Sequence, residues 1–337
     1  MTTAYTHGGD LERAASKAGV TPDRILDFSA NINPMGLPAR ASERLAREAT
    51  DPKNWTCYPV PELSELRLAI SGYVDVAPEC IVIGGGADAL IHCTVRAFAP
   101  RRCVLPIPAF SEYERAVQAM GWQASSDLLV LNNPHNPTGA CESRSKTLQR
   151  IREARDAGTS VLVDEAFIDY VPEASITRDA VNESGVVAIR SLTKFFGCPG
   201  LRVGYAVASP GTVALLKAQL PPWPVTTLAA NALAEALRDV DYRRETLERN
   251  AQARESLADS LASLGCHVFP AAANFLLIRL PAQVVASQLY DQLLSEHGIL
   301  TRKCDSFVGL EPDRYLRVAV RSQSDNARLL SAFRVCL

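Results

Sequence analysis

Short, nearly continuous apolar runs recur through the middle of this chain, and segments of helical composition separate most of them. Helical composition marks residues 87–99 and 142–157. The runs that we predict as strands are residues 80–86, 103–107, 127–133, 160–166, 186–191 and 203–209. Because apolar strands alternate with helices, the pattern predicts an α/β fold with a mainly parallel sheet that carries helices on both faces.

A different pattern begins near residue 240. A long, charged, amphipathic segment covers residues 241–264. It is followed by two strand-like runs, a helical segment between them and a terminal helix, at residues 274–280, 315–320, 282–297 and from about 322. This order predicts a smaller α+β domain at the C-terminal end of the chain.

The first 45 residues have turn and loop chemistry, as in "HGG" and "SANINPMG". We therefore predict three parts of the chain. Residues 1–45 form an N-terminal arm that contributes to the small domain and to a lid over a cleft. Residues 46–238 form a large domain, and residues 239–337 form the small C-terminal domain.

Composition excludes several classes of protein. The 337-residue chain has a formal net charge of -2, which favours neither nucleic acid nor an anionic membrane as a partner. Its nine cysteines contain no C-x-x-C pair, so we predict free thiols and no metal site. Charged residues near the N-terminus exclude a signal peptide, and no apolar run is long enough to span a membrane. We therefore expect a cytoplasmic protein.

Polar residues and glycines cluster directly after five of the predicted strands. They occupy residues 84–88, 108–110, 132–139, 164–165 and 191–194. In open α/β sheets, ligands bind beyond the carboxyl ends of the strands. The five clusters therefore predict one ligand site at a single edge of the sheet.

The stretch "GGGADA", residues 84–89, follows a strand and opens a helix. Backbone N–H groups and the helix dipole make such a turn a phosphate site, and a tight turn without a ligand is the simpler alternative. The stretch also fits the dinucleotide pattern G-x-G-x-x-A. The next strand ends in "VLPIP", with no acidic residue to bind a ribose, which argues against a nicotinamide cofactor.

A lysine lies in the apolar stretch "SLTKFFGCPGLRVGY", residues 191–205. A partly desolvated Lys194 loses proton affinity and becomes a nucleophile that can form a Schiff base. Ser191 and Arg202 can bind a phosphate, and Asp164 can favour protonation of a heteroaromatic nitrogen. With the Asn136 amide and the Phe110 ring, these are the groups that pyridoxal 5'-phosphate requires. A solvated turn with two incidental cations remains the alternative.

The ordered set "GGGAD", "PAFSEY", "NNPHNPTG", "VDEAF", "SLTKFFGCPGLRVGY", "NFLL" and "LRVAVR" resembles the fold-type I pyridoxal-phosphate enzymes, in the histidinol-phosphate aminotransferase-like group. The resemblance extends from about residue 7 to 321. It implies that the large domain binds the cofactor, with Lys194 as its covalent partner and Asp164 at the pyridine nitrogen. It also implies a homodimer.

The resemblance assigns further residues to the cofactor and the substrate. Asn136 would bond the phenolic oxygen and Phe110 would stack on the ring. The implied phosphate ligands are Gly86, Ala87, Ser191 and Arg202, with Asp88 nearby, and Tyr58 from across the dimer interface. The implied substrate ligands are Arg302, Arg317, Asn136, His7, Gly8 and Asn31. Taken alone, His7 could instead be a solvated side chain and Arg317 a surface residue.

"HGG", "DFSANINPMG" and "SLTKFFGCPGLR" are most similar to the branch of this group that decarboxylates L-threonine O-3-phosphate in cobalamin biosynthesis. The substrate is then a phosphorylated amino acid. The alternative is a histidinol-phosphate-type aminotransferase, but Ile32 and Phe167 stand where that enzyme usually has an acidic residue and a tyrosine. Val60 departs from the aspartate common in the family, close to Tyr58. A nicotinamide-dependent oxidoreductase and a protein that binds the cofactor without turnover are alternatives from other classes.

Overall fold

The computed structural model describes residues 7–120 and 126–337. The strands in these ranges are β1 (Leu26–Asp27), β2 (Ile81–Gly84), β3 (Pro100–Val104), β4 (Ser126–Asn132), β5 (Ser160–Asp164), β6 (Val186–Ser191), β7 (Gly204–Val207), β8 (His267–Val268), β9 (Phe275–Arg279), β10 (Ile299–Leu300), β11 (Arg302–Lys303) and β12 (Tyr315–Ala319).

The α-helices of the described ranges surround these strands. They are α1 (Leu11–Ala18), α2 (Ala39–Ala49), α3 (Lys53–Thr56), α4 (Ser64–Val74), α5 (Ala87–Phe98), α6 (Ser111–Met120), α7 (Arg144–Asp156), α8 (Thr177–Ala180), α9 (Leu192–Phe195), α10 (Pro210–Lys217), α11 (Thr227–Leu237), α12 (Val240–Ser263), α13 (Ala286–His297) and α14 (Gln323–Cys336). None of them is long and apolar enough to cross a membrane.

The central sheet has the strand order β2-β7-β6-β5-β4-β3. Strands β3 to β6 pair in parallel, and β7 is antiparallel to both of its neighbours. Strand β2 therefore runs in the same direction as β3 to β6. The predicted mainly parallel α/β sheet is confirmed.

Helices cover both faces of this sheet because its side chains alternate between two apolar cores. Val82 and Ala206 pack with α5 and α10 on one face. Ile81, Ile83 and Val207 pack with α4 and α11 on the other. The period of two along each strand thus places an apolar layer on each side of the sheet.

Several predicted strands of this sheet differ from the observed ones by one or two residues at their ends, and one is shifted by three. The strand expected over residues 103–107 spans Pro100–Val104 instead. Pro106 and Pro108 lack the backbone N–H that a sheet partner needs, so pairing stops before them. The apolar run "VLPI" is therefore partly a loop, and this loop leads to Phe110.

A second sheet near the C-terminus has the order β11-β12-β9-β8 and is antiparallel. Side chains of α12, α13 and α14 pack on it in one apolar cluster. Strand β1 of the N-terminal arm pairs in parallel with β10, and Leu26 lies opposite Ile299. This pairing supports the predicted arm, and the boundaries at residues 45 and 238 stay a prediction.

The direction of β7 brings distant sequence segments to one edge of the central sheet. Gly204, at the start of β7, lies opposite Ser191 at the end of β6 and Gly84 at the end of β2. A Cβ on Gly204 would lie 2.7 Å from the Ala87 nitrogen and 2.9 Å from the Arg190 oxygen. These contacts are with backbone atoms, so only glycine allows the two strand ends to approach this closely.

We expect Gly204→Ala to destabilise the protein by about 1–3 kcal/mol, because the added methyl group must displace backbone rather than a flexible side chain. Gly211→Ala in α10 is the matched control, since a Cβ there meets nothing within 4 Å. Alanine favours the helix, so the control should be neutral or slightly stabilising. Urea unfolding of the apoproteins measures both changes, and equal midpoints for the two variants would contradict the prediction.

Candidate active site

Lys194 lies in the short helix α9, just beyond the carboxyl end of β6, and its side chain is half-buried. Its Nζ has no hydrogen bond or ion pair to any residue within 7–120 or 126–337. Burial lowers the pKa of Lys194 to about 8, and the positive charges of Arg317 and Arg202 act in the same direction. Asp88 and Asp164 oppose the shift. The structure therefore presents an amine that loses its proton near neutral pH.

Asp164 ends β5 and is buried. Tyr113 Oη donates to its Oδ2 at 2.5 Å, and the Ala166 nitrogen donates to Oδ1 at 2.9 Å. Burial raises the pKa of Asp164, while these two hydrogen bonds and the charge of Lys194 lower it. A buried carboxylate held in this way can stabilise a protonated nitrogen in front of it.

Tyr113 was not among the residues selected from the sequence. It lies three residues after Phe110, so the two side chains share one face at the start of α6. Their rings meet edge to face with centroids 5.6 Å apart. This spacing within "PAFSEY" is a signal that could have identified Tyr113 as a neighbour of the site.

Arg317 and Asn136 are in direct contact. Arg317 Nη1 donates to Asn136 Oδ1 at 2.6 Å, and Nη2 donates to the Ser29 carbonyl at 2.9 Å. Its Nε is buried without a partner in the described parts of the chain. Arg317 is buried, so it is not a surface residue. Its burial lowers the pKa of the guanidinium to about 10.

Arg302 lies directly opposite Arg317 on the neighbouring strand. It is buried, its Nη2 donates to Ser306 Oγ at 2.8 Å, and burial lowers its pKa. Like charges directly opposite each other destabilise a sheet, so two buried arginines in this register are typical of a site for an anion. Arg302 also lines a cavity of 290 Å³ whose charged or titratable lining residues include His7, Arg13 and Lys303 together with the carboxylates of Asp10 and Asp305.

The glycine turn after β2 leads into the N-terminus of α5, which begins at Ala87. Gly86 has a φ of 104°, and a Cβ on it would lie 2.6 Å from Arg202 Nη2. Arg202 Nη2 also lies 2.9 Å from both oxygens of Asp88. Buried Ser191 caps α9 and shares a hydrogen bond of 2.9 Å with the Thr193 hydroxyl.

These groups fit pyridoxal phosphate. The turn that a Cβ would fill, together with the N-terminus of a twelve-residue helix, Ser191 and Arg202, offers phosphate donors. A buried carboxylate and an amine without a partner among the described residues complete the set of groups that this cofactor requires. Among the described residues, no group of three or more His, Cys, Asp or Glu side chains is arranged to hold a metal ion.

The N-terminal segment lies next to these residues. A Cβ on Gly8 would be 2.2 Å from the Ser29 oxygen, and the Gly9 nitrogen donates to Ser29 Oγ at 2.8 Å. Asn31 is buried and its Oδ1 has no partner within the described ranges. His7 Nε2 lies 2.9 Å from Glu112 Oε1, so His7 is not simply a solvated side chain.

Tyr58 stands apart from the other predicted residues. Its side chain is 78% exposed, and its ring stacks on Trp223 with centroids 4.2 Å apart. A larger cavity of 440 Å³, lined by Tyr73, Asp169 and Arg190, includes none of the predicted site residues. Arg190 immediately precedes Ser191 on β6, so the two side chains point to opposite faces of the sheet.

Comparison with known proteins agrees with this geometry. The family model described as "Aminotransferase class I and II" matches residues 23–126 and 122–333. The chain is 34% identical to the threonine-phosphate decarboxylase of Salmonella typhimurium, over 97% of this chain and 95% of that protein. It is 29% identical to the adenosylcobalamin biosynthesis bifunctional protein CobDQ of Leptospira interrogans, over 97% of this chain and 40% of that protein.

A solved structure also shares the fold. The histidinol-phosphate aminotransferase of Sinorhizobium meliloti, in complex with pyridoxal-5'-phosphate, superposes with a TM-score of 0.85 at 22% identity and covers 100% of both chains. The predicted fold class, the resemblance to pyridoxal-phosphate enzymes and the predicted cofactor are confirmed. The chain belongs to the family of class I and II aminotransferases.

Proposed function

We propose that this protein decarboxylates L-threonine O-3-phosphate to (R)-1-amino-2-propanol O-2-phosphate, the linker of the cobalamin nucleotide loop. The observation that carries the proposal is the pair of buried arginines, Arg302 and Arg317, which face each other across β11 and β12. Two fixed cations can bind a substrate that carries both a phosphate and a carboxylate. The similarity to the Salmonella decarboxylase supports this choice of substrate.

Pyridoxal phosphate, when bound, supplies an electron sink for the bond that breaks at the substrate α-carbon. The Asp164 carboxylate would hold the proton on the ring nitrogen, and Tyr113 keeps that carboxylate oriented. Phe110 would contact the ring. The phosphate would lie against the turn at Gly86 and be held by the N–H group of Ala87, by Ser191 and by Arg202, which Asp88 orients.

The substrate-binding residues decide which bond breaks. Arg317 fixes Asn136 through Oδ1, which leaves the Asn136 Nδ2 as a donor toward the site. Arg302 and Arg317 would together fix the phosphate and the carboxylate of the substrate, so that the carbon–carbon bond to the carboxylate is the one that breaks and CO₂ leaves. The electron pair of that bond would pass to the bound cofactor, and Lys194 Nζ would donate a proton to the α-carbon. His7, Gly8 and Asn31 would cover the substrate and exclude water.

A homodimer is part of this proposal. Trp55, Tyr58, Val60 and Trp223 are large apolar side chains that are exposed in the single chain. Tyr58 stacks on Trp223, and exposed apolar side chains that pack together in this way are typical of a protein interface. We propose that two chains associate through this region and that Tyr58 of each chain donates to the cofactor phosphate bound by the other.

The proposal predicts that the holoenzyme releases CO₂ from L-threonine O-3-phosphate without forming a 2-oxo acid. Serine phosphate, which lacks one methyl group, should react about 10- to 200-fold less efficiently if the pocket encloses that methyl group. Formation of a 2-oxo acid without CO₂ would support the histidinol-phosphate-type aminotransferase instead.

In the same assay, Arg302→Ala should lower kcat/KM at least about tenfold because an anion loses a charge-assisted contact. Arg279→Ala removes a half-exposed arginine of the same sheet and should leave kcat/KM unchanged.

Covalent attachment of the cofactor should depend on pH through Lys194. Its Nζ reacts only without its proton, and its pKa of about 8 lies below the ordinary value of 10.5. The rate at which the apoprotein binds pyridoxal phosphate should rise about tenfold per pH unit below pH 8 and level off above it. Absorbance of the bound cofactor measures this rate, with Lys194→Ala as the control that forms no bond trapped by borohydride. A rate that keeps rising up to pH 10 would show an ordinary lysine.

The lowered pKa of Lys194 also affects the stability of the apoprotein. The folded state releases the Lys194 proton at a lower pH than the unfolded state, so the unfolded chain binds more protons between about pH 8 and 10.5. Lys194 should therefore increase the stability of the apoprotein as the pH rises through this window. In Lys194→Met this contribution should be absent, as denaturant titrations at pH 8 and pH 10 would show.

The dimer should appear in sedimentation as a species of twice the 36.5 kDa chain mass. Tyr58→Phe should weaken cofactor binding about 3- to 30-fold, the value of one hydrogen bond to a phosphate, without dissociating the dimer. Tyr315→Phe, on the C-terminal sheet, is the matched control. A monomer that binds the cofactor with full affinity would refute the assembly.

A further inference from the structure

We propose that Glu112 is a positioning residue that holds His7 beside the substrate site. This inference rests on the proposed function, because His7 is one of the residues proposed to cover the substrate. Glu112 lies in the first turn of α6, and the next residue, Tyr113, donates to Asp164. The helix that orients the Asp164 carboxylate thus also carries an acidic residue directed at the N-terminal segment.

The burial of Glu112 requires an explanation, because a buried carboxylate is costly unless it is paired. Glu112 is 5% exposed. Three groups face it: His7 Nε2 at 2.9 Å, His92 Nε2 at 3.4 Å and Arg115 Nη1 at 3.5 Å. Only the contact with His7 has the length of a good hydrogen bond. The carboxylate is therefore directed mainly at a residue of the N-terminal arm, 105 positions earlier in the chain.

The contact orients the imidazole. With Nε2 donating to Glu112, Nδ1 is the remaining polar atom of the His7 ring. The ring lies beside Phe110, with centroids 6.0 Å apart and an interplanar angle of 59°. His7 also lines the 290 Å³ cavity that Arg302 lines. His7 and Arg302 thus line the same cavity, where both are placed to contact one ligand.

The other side of the segment is held by Ser29. Gly8 lies against the Ser29 carbonyl, and the Gly9 nitrogen donates to Ser29 Oγ. The same Ser29 carbonyl accepts from Arg317 Nη2. His7 is therefore fixed between α6 and a loop that contacts Arg317. Without Glu112, the His7 side chain, which is 44% exposed, loses its 2.9 Å contact with α6 and can rotate away from the cavity.

Steady-state kinetics with the holoenzyme and L-threonine O-3-phosphate test this role. Glu112→Ala should raise KM about tenfold and change kcat less than about twofold, because the lost contact serves binding and not the chemical step. Glu112→Gln should lie between this variant and the wild type, since its amide oxygen can still accept from Nε2. Glu114→Ala removes an exposed carboxylate from the same helix and is the matched control.

A double-mutant cycle tests whether Glu112 acts through His7. The double variant His7→Ala/Glu112→Ala should be no worse than His7→Ala alone, because both changes remove the same contact. Losses in kcat/KM that multiply would show independent roles and overturn the proposal. A Glu112→Ala protein with altered cofactor absorbance would also overturn it, since the residue would then support the cofactor site as a whole.

Hydrogen exchange tests the contact independently of the substrate. Amide exchange near His7, at the start of a peptide covering residues 7–30, should be faster in Glu112→Ala than in the wild type or Glu114→Ala, because this end of the segment loses its contact with α6. Unchanged exchange would overturn the positioning role. If the wild type fails to decarboxylate threonine phosphate while exchange responds as expected, the proposed function fails and the contact stands.

Discussion

The cost of burying positive charge is the constraint on which the site depends. Lys194, Arg202 and Arg317 lie close enough for the two arginine charges to lower the lysine pKa. Arg317 and Arg302 also repel each other across adjacent strands, and both lose hydration. Nearby carboxylates offset only part of this charge. A protein retains such a cluster where anionic groups of a cofactor and a substrate supply the missing negative charge.

The charged groups of the site come from two sheets, and the N-terminal arm contacts both sets of residues. The central sheet supplies Asp164, Ser191 and Lys194 from the carboxyl ends of parallel strands. The C-terminal sheet supplies Arg302 and Arg317 from an antiparallel pair. The N-terminal arm connects the two, because Ser29 accepts from Arg317 and the Asn33 nitrogen donates to the Lys194 carbonyl at 3.1 Å.

The residues proposed to bind the cofactor and most of those proposed to bind the substrate lie in different parts of the protein. Most of the groups proposed to bind pyridoxal phosphate lie at one edge of the central sheet. The groups proposed to bind the substrate lie on the arm and on the C-terminal sheet. Changes in those two parts can redirect the broken bond without altering the cofactor site, since both reactions use the same electron sink.

Much of the fold could be predicted because buried segments have recognisable patterns of apolar residues in the sequence. The run 186–191 became β6 with the predicted ends, and the long charged pattern 241–264 became α12 within one residue at each end. The strand predicted at 103–107 differs from β3 because the apolar run continues past the point where pairing stops. Pro106 has no N–H to donate to a sheet. Apolar periodicity reports burial, whereas hydrogen bonding decides where a strand stops.

The site shows the same division between local and spatial information. By itself the sequence determined the cofactor chemistry, because Lys194 and Asp164 lie at the carboxyl ends of strands that a parallel sheet must bring together. Only the tertiary structure decided that Tyr113 holds Asp164, that Arg317 holds Asn136 and that Glu112 meets His7. Each of these pairs joins elements that are far apart in the chain. Their contacts follow from how helices and sheets pack, which no local pattern of residue types records.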